Sequence, residues 1–356
     1  MLFNPADPLS GAFRQEIELL LDGFLGDLCP FDETEDLYQI GRRLVSGGKR
    51  VRPAFCVWGY LSAAPEPADR AQLMRVAASL DLLHASALVH DDVMDGSATR
   101  RGGPSAHVQL AALHRERGLH GDPDAFGRAG AILLGNLLLG WAAELTVGLR
   151  WRADANLAGL QMRVNTGQYL DVLAQARDPR EARRDPDGMM ELVRQVVKEK
   201  TSEYTVIYPL QIGAVLAGSP LRHSDFFTAF GTNLGRAFQY RDDLLGVFGD
   251  ADVTGKPAGD DLREGKLTAL IVHAMRLADD AGAERLASLL GKPDLGPDET
   301  DEARAIIRDC GAQAAVEDDI AAARENALAA LDRSRIRPEA REALSLLALL
   351  LTDRVA

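Results

Sequence analysis

The sequence predicts an all-α protein, one domain over residues 1–356 built as a bundle of about ten or more helices. Three observations carry that expectation. Apolar residues recur at helical spacing almost throughout the chain. No stretch shows the alternating pattern of a half-buried strand. No internal repeat and no linker long or polar enough to divide the chain interrupts this pattern.

Taken in order, Ser10 caps a first helix whose Phe13, Ile17, Leu20, Leu21 and Phe24 share one face. After Cys29 and Pro30, a second helix runs from about Thr34 to Val45. The turn Gly47-Gly48-Lys49-Arg50-Val51-Arg52-Pro53 leads into a third, Ala54 to Ser62. Pro65 and Pro67 mark a loop before a long helix, Asp69 to His90. Arg115 to Gly127 reads as loop and Ala129 to Leu149 as an apolar helix. Asp154 to Ala176 follows, then a charged surface loop from Arg177 to Asp187. A helix from Met189 to Leu216 should bend at Pro209. Phe226 to Phe248 and Leu267 to Ala278 are helical, and from Asp298 onward amphipathic helices break at Gly311 and Pro338.

Composition is that of an ordinary globular protein, 46% hydrophobic and 26% charged. A net charge of −13 argues against nucleic acid as a partner. It also makes a multiply charged anion an awkward ligand unless metals and local cations reverse the field. Cys29, Cys56 and Cys310 lie far apart, which disfavours a zinc site or disulfide framework and suits a reduced cytoplasm. The first residues lack the pattern of a signal peptide. Asn136, Glu144 and several glycines interrupt Ala129 to Leu149, so it reads as a core helix or subunit interface, not a membrane span.

Chemistry concentrates where the long helix ends. Asp91 and Asp95 are one turn apart and share a face, with Asp92 rotated by about 100°. Like charges at that spacing, at the negative end of the helix dipole, destabilise the helix. A divalent cation reverses the penalty, and Mg²⁺ suits best because it binds through one or two carboxylates plus substrate phosphates. A second acid pair, Asp242-Asp243, preceded by Gln239, closes the run Phe226 to Phe248. Cations trail both pairs: Arg100 and Arg101 after the first, Lys256 and Lys266 after the second. In the Gly47–Pro53 turn, Gly47 and Gly48 let the backbone approach an anion, with helix-start N–H groups, Lys49 and Arg52 to bind it. His84 lies about two turns before Asp91, on the same side. Gln168 and Asp171 share a face, and a Lys198-Glu199-Lys200-Thr201 run follows.

These motifs, in this order and spacing and over nearly the whole chain, resemble the trans-isoprenyl diphosphate synthases, most nearly the bacterial geranylgeranyl diphosphate synthases. The resemblance implies an isoprenoid-synthase-type bundle around a deep central cavity, and a cytoplasmic homodimer. It implies a Mg²⁺-dependent prenyltransferase of isoprenoid biosynthesis, with up to three metal ions held by Asp91, Asp95, Asp171, Asp242 and Asp243. Isopentenyl diphosphate falls to Gly48, Lys49, Arg52, His84 and Arg101. The allylic diphosphate, from dimethylallyl, geranyl or farnesyl primers, falls to Arg100, Gln168, Lys200, Lys256 and Lys266. Thr201 lies beside the reacting carbons, and Asp92 and Gln239 complete the catalytic set. His90 has no such support and reads as structural.

The chain departs from the family pattern at Gly246, which stands where the last acid of the second motif is expected; Asp260 or Asp261 could replace it. A class I terpene cyclase would share the first acid motif but not need the Gly47–Pro53 turn. A non-catalytic partner subunit would typically lose an acid motif. Product length in the family is read along the helix that ends in Asp91. Ser86 and Ala87 are small and leave the first floor open, while Leu82 and Leu83 can close the next, about 5.4 Å deeper. That predicts geranylgeranyl diphosphate, C20, with C25 or longer if the leucines point aside, and farnesyl diphosphate as a further alternative.

Overall fold

A computed structural model of the chain describes residues 3–28, 31–148, 154–219, 224–249 and 259–353. The fold is all-α. In chain order the helices are α1 (Gly11–Gly26), α2 (Glu35–Val45), α3 (Val51–Ala63) and α4 (Arg70–Asp95), then α5 (Ala106–Glu116), α6 (Pro123–Glu144) and α7 (Asp154–Gln175). The short α8 (Glu181–Arg184) and α9 (Pro186–Val197) lead to α10 (Tyr208–Leu216) and α11 (Ser224–Phe248), and among the described residues six more helices follow, ending with Pro338–Thr352. The one sheet among the described residues is a hairpin pairing Thr99–Arg100 with Gly103–Pro104.

Contacts cluster into two compact units. The first comprises Met1–Ala158, Tyr208–Ser224 and Arg335–Leu346. In it α4 packs on α6 and α3, α5 packs on α6, and α3 crosses α10. Phe55, Trp58, Leu80, Leu82, Leu134 and Leu210 are among its buried side chains. The second comprises Gly159–Ile207, Asp225–Ser334 and Leu347–Ala356. Its core joins Val193 and Val197 of α9, Tyr240, Leu244 and Val247 of α11, and Leu270, Met275, Ile307, Val316 and Ile320 from the later helices.

Several element boundaries differ from the sequence expectation, each for a local reason. α3 starts at Val51 because Arg50 itself turns the chain, in the left-handed region at φ 56°. Arg52 therefore belongs to the first helical turn. α4 continues through all three acids to Asp95, and stops because Gly96 adopts φ 67° and its N–H bonds back to the Asp92 carbonyl. The expected loop Arg115 to Gly127 is mostly helix: α5 occupies its start, and α6 begins at Pro123, where proline's missing N–H costs nothing. Asp122 caps that end, and α6 stops at Glu144 rather than Leu149. The charged segment Arg177 to Asp187 holds α8 and the start of α9, capped by Asp185. Within the segment Gly255 to Lys266, expected as a loop after the second acid motif, Asp260–Glu264 forms a short helix between Gly259 and Gly265, both at positive φ. Asp280–Leu289 is a further helix with no sequence expectation.

The largest difference lies between α9 and α10. Lys198–Ile207 is ten residues of π-helix, wider than the α-helix expected there. Pro209 follows it. Proline removes one intrahelical donor and crowds the carbonyl four residues earlier, and a wider turn just upstream relieves that crowding without ending the helix. Lys256, with the rest of 250–258, lies outside the described residues, as do Cys29 and Pro30.

Candidate active site

In the first unit the acids sit in the last turn of α4. Asp92 is buried, 1% exposed, whereas Asp91 and Asp95 are partly open. Asp92 Oδ1 accepts from Arg100 Nε at 2.9 Å and from its Nη2. Arg100 Nη2 also stands 3.6 Å from Asp91 Oδ2. The hairpin after α4 makes this reach work. It pairs Arg100 with Gly103 and turns through Arg101 (φ 53°) and Gly102 (φ 77°), a two-residue turn with both central φ values positive.

That turn points Arg101 at the other cationic motif. Arg101 Nη1 donates to the carbonyls of Leu44 and Ser46, each at 3.3 Å, and a Cβ on Gly48 would lie 3.2 Å from its Nη2. Gly48 has φ 94°, and Lys49 is exposed. His84 is influenced by Arg52, Arg101, Arg100 and Arg50, after burial, and is pushed well below the usual histidine range. Its imidazole is therefore neutral at physiological pH and able to donate one N–H. Lys49, Arg52, His84 and Arg101 thus belong to one neighbourhood, rich in guanidinium and suited to an anion. His90 Nε2 contacts the Ile132 carbonyl at 3.2 Å, away from this chemistry.

Along α4, Ala87 shares the partly open face with His84, Asp91 and Asp95. Ser86 is 1% exposed, and Leu82 and Leu83 are buried in the core.

In the second unit, Asp171 of α7 meets Lys200 of the π-helix, Oδ2 to Nζ, at 2.6 Å. Gly167 lets α7 lie close to the π-helix backbone, because a Cβ there would lie 2.4 Å from the Lys200 backbone nitrogen. Gln168 is partly exposed one residue on. Thr201 Oγ1 donates to Gln239 Oε1 at 2.6 Å, and Gln239 Nε2 donates to Asp243 Oδ1 at 2.9 Å. Asp243 is buried, and burial pushes its carboxyl well up; the Gln239 bond opposes this, while Asp261 and Asp242 add to it. Asp242 is partly open. Lys266 Nζ pairs with Glu264 at 2.6 Å and Asp261 at 3.6 Å. A Cβ on Gly246 would lie only 1.9 Å from Asp261 Oδ2, so the Asp261 carboxylate fills the space beside Gly246. Asp260 pairs with Arg263.

The donors fit a hard divalent cation. Asp91, Asp95 and Asp242 offer only oxygen, and both carboxylate oxygens of Asp95 are shielded from solvent. Among the described residues no three His, Cys, Asp or Glu side chains converge into a closed cage. One or two carboxylates with substrate oxygens completing the shell is how Mg²⁺ is usually held. Two functional candidates escaped the sequence reading, Asp81 and Arg50, which pair at 2.9 Å beneath the Gly47–Pro53 turn. The available signal was a lone acid within the apolar run Leu80 to Leu83.

A polyprenyl synthetase family model matches residues 34–307. The chain is 33% identical over 276 residues to geranylfarnesyl diphosphate synthase of Aeropyrum pernix, covering 75% of this chain and 77% of that one. It is 28% identical over 298 residues to geranylgeranyl diphosphate synthase of Methanosarcina mazei, covering 82% of each. The crystal structure of geranylgeranyl pyrophosphate synthase from Corynebacterium glutamicum, complexed with isoprenyl diphosphate and magnesium, superposes with a TM-score of 0.89 at 35% identity. That match covers 96% of this chain and 99% of the other.

Proposed function

The chain belongs to the polyprenyl synthetase family and is a trans-prenyltransferase; from that premise we propose that it joins isopentenyl diphosphate head to tail to an allylic diphosphate, giving mainly geranylgeranyl diphosphate (C20). The observation that carries the chain length is the pair of small residues before the first acid motif, Ser86 and Ala87, with Ala87 on the face that also bears Asp91. The geranylgeranyl synthases among the relatives support it. A second reading, C25 or longer, follows if Leu82 and Leu83, at 0% and 2% exposure, pack into the core and not across the channel. The geranylfarnesyl relative agrees with that alternative.

In the reaction, the allylic C1–O bond breaks, C1 bonds to C4 of isopentenyl diphosphate, and a C2 proton leaves. We assign the metals, up to three Mg²⁺, to Asp91, Asp95 and Asp242, with Asp261 taking the place of the acid missing at Gly246. When bound, Mg²⁺ neutralises the diphosphate so that it can depart. Arg100, Lys200, Lys256, Lys266 and Gln168 bind and orient the allylic diphosphate. Asp171 and Asp92 keep Lys200 and Arg100 aligned before substrate arrives, so little reorganisation is needed at the reacting step. The Thr201 hydroxyl, fixed by Gln239, lies beside the developing allylic cation. Lys49, Arg52, His84 and Arg101 hold isopentenyl diphosphate, and neutral His84 donates a hydrogen bond without taking the proton. The departing diphosphate takes it.

The two compact units act as one catalytic domain in this reading, located in the cytoplasm. Phe126, Ile132 and Leu133 of α6 are 41%, 45% and 59% exposed. They form an apolar face suited to a second copy in a homodimer. The test of function is incubation with isopentenyl diphosphate and each allylic primer, followed by chromatography of the dephosphorylated products. C20 is expected from the wild type, C15 from Ser86→Phe and a longer product from Leu83→Ala. Wild-type enzyme that stops at C15 refutes the open floor, and turnover of an allylic diphosphate without isopentenyl diphosphate refutes the condensation.

A further inference from the structure

Beneath the glycine turn lies an ion pair that the catalytic assignment does not use. Arg50 is 5% exposed and Asp81, from the middle of α4, is 8% exposed. Arg50 Nη1 donates to Asp81 Oδ2 at 2.9 Å, and the other terminal nitrogen, Nη2, is buried with no hydrogen-bond partner. Arg50 is also one of two non-glycine residues with positive φ among the described residues, the other being Arg101. An arginine is disfavoured in that region, where glycine is the ordinary choice. The side chain offsets the backbone it occupies through its hydrogen bond to Asp81.

The position of this residue gives the bond a consequence. Arg50 stands between Lys49 and Arg52, and its carbonyl accepts the first helical bond of α3, from Ala54 N at 3.0 Å. Its conformation sets the angle at which Lys49 leaves the turn and Arg52 enters the helix. Arg101 holds the same turn from the solvent side, through the carbonyls of Leu44 and Ser46. The turn is thus clamped twice, once by an accessible arginine and once by a buried pair. Burial pushes the Asp81 carboxyl up, and the charges of Arg50, Arg52 and Arg101 oppose that rise.

We propose that Asp81 is a positioning residue for isopentenyl diphosphate: through Arg50 it holds the Gly47–Pro53 turn in the shape that sets Lys49 and Arg52 around one diphosphate. This rests on the reading above that the turn takes isopentenyl diphosphate. Asp81 touches no substrate. It acts by keeping a strained residue in place and by balancing the charge of an anion site before the anion arrives, which is preorganisation of a binding site.

The test is calorimetric titration of isopentenyl diphosphate into wild type, Asp81→Asn, Arg50→Gly and the double variant, with steady-state KM for both substrates and thermal melting alongside. Arg50→Gly keeps the backbone in its preferred region while removing the guanidinium, so a purely backbone role would leave affinity intact. Each single variant should weaken isopentenyl diphosphate binding by about tenfold, the scale of one charge-assisted contact. The KM for the allylic substrate should change much less. The double variant should be no weaker than the worse single one, because the two residues act as a unit. Asp81→Glu, which restores the charge, should return affinity toward wild type. Unchanged affinity in folded Asp81→Asn and Arg50→Gly overturns the proposal. So does an equal rise in both KM values together with a lower melting temperature, which marks a structural role alone. Absence of binding by the wild type would instead overturn the assignment of the turn, and this inference with it.

Discussion

The two acid motifs have the same local plan and solve it differently. In each pair the first acid, Asp91 or Asp242, is partly open and the second, Asp92 or Asp243, is buried. Asp92 receives a guanidinium, from Arg100. Asp243 receives a neutral amide, from Gln239, which also holds Thr201. The third acid differs too. Asp95 continues the helix of its motif, whereas Gly246 leaves room for Asp261 to enter from the short helix that follows. A buried carboxylate needs either a countercharge or a proton. The first motif uses the countercharge. The second lets burial raise the acid and spends the hydrogen bond on linking α11 to the π-helix.

The comparison breaks most visibly if one motif is dispensable. Asp91→Ala and Asp242→Ala should each reduce turnover by about two orders of magnitude or more, the scale of losing an electrostatic group that acts on the leaving charge. Helical circular dichroism should be retained, and EDTA should abolish wild-type activity. A variant of either aspartate with near wild-type turnover would show that its motif carries no metal. The next largest effect is on stability. Arg100→Gln leaves Asp92 buried beside a neutral group and should cost roughly 3–5 kcal/mol. Gln239→Leu strands a carboxyl that burial already drives toward its neutral form, and should cost about 1–3 kcal/mol. Urea or thermal unfolding measures both, and equal losses would erase the distinction between ion pair and amide.

Much of this contrast was legible in the residues themselves. Acids one turn apart on an apolar helix, and cations trailing them, are visible as spacing, as is the all-helical pattern. The partners are not. Nothing in the order of residues tells that Asp92 faces Arg100 while Asp243 faces Gln239, because each pairing depends on where a hairpin or a neighbouring helix returns. The π-helical stretch that carries Lys200 and Thr201, KEKTSEYTVI, has no residue pattern that sets it apart from an α-helix, and Pro209 signalled only a bend. The hairpin Thr99–Pro104 is too short to show alternation. Asp260 and Asp261 were equivalent candidates in the sequence. The short helix separates them, turning Asp260 to Arg263 and Asp261 to Gly246.

That separation can be sharpened by exchanging the two residues. Gly246→Asp alone would place its Cβ 1.9 Å from the Asp261 carboxylate, so the variant should lose both stability and activity. Adding Asp261→Gly removes the obstruction and recreates, on α11, the acid spacing of the first motif. The double variant should regain most of the lost melting temperature and of the Mg²⁺-dependent rate, while Asp261→Gly alone should weaken Mg²⁺ dependence by about tenfold, as for one charge-assisted contact. Asp260→Gly should do neither. If the double variant is no better than Gly246→Asp, Asp261 does not stand in for the missing acid.

The smallest effect tests the contrast at its source, by making one isosteric change at both second acids. Burial pushes the Asp243 carboxyl well above its ordinary value, with Asp261 and Asp242 adding to the rise. An unfolded aspartate releases its proton near pH 3.9, whereas the folded one retains it to higher pH. The folded state therefore binds more protons than the unfolded state over that interval. Stability from this group is full below about pH 4 and is lost as pH rises through the folded value. Asparagine cannot ionise, yet keeps an oxygen to accept from Gln239. In EDTA, Asp243→Asn should match wild type near pH 4 and gain on it steadily toward pH 8, read as a widening difference in melting temperature. Asp92→Asn should do the reverse at neutral pH, because it removes the buried carboxylate that accepts from Arg100, leaving the guanidinium the longer 3.6 Å contact to Asp91. Parallel melting curves for Asp243→Asn and wild type, or a stabilised Asp92→Asn, would mean that both motifs hold their inner acid in the same way.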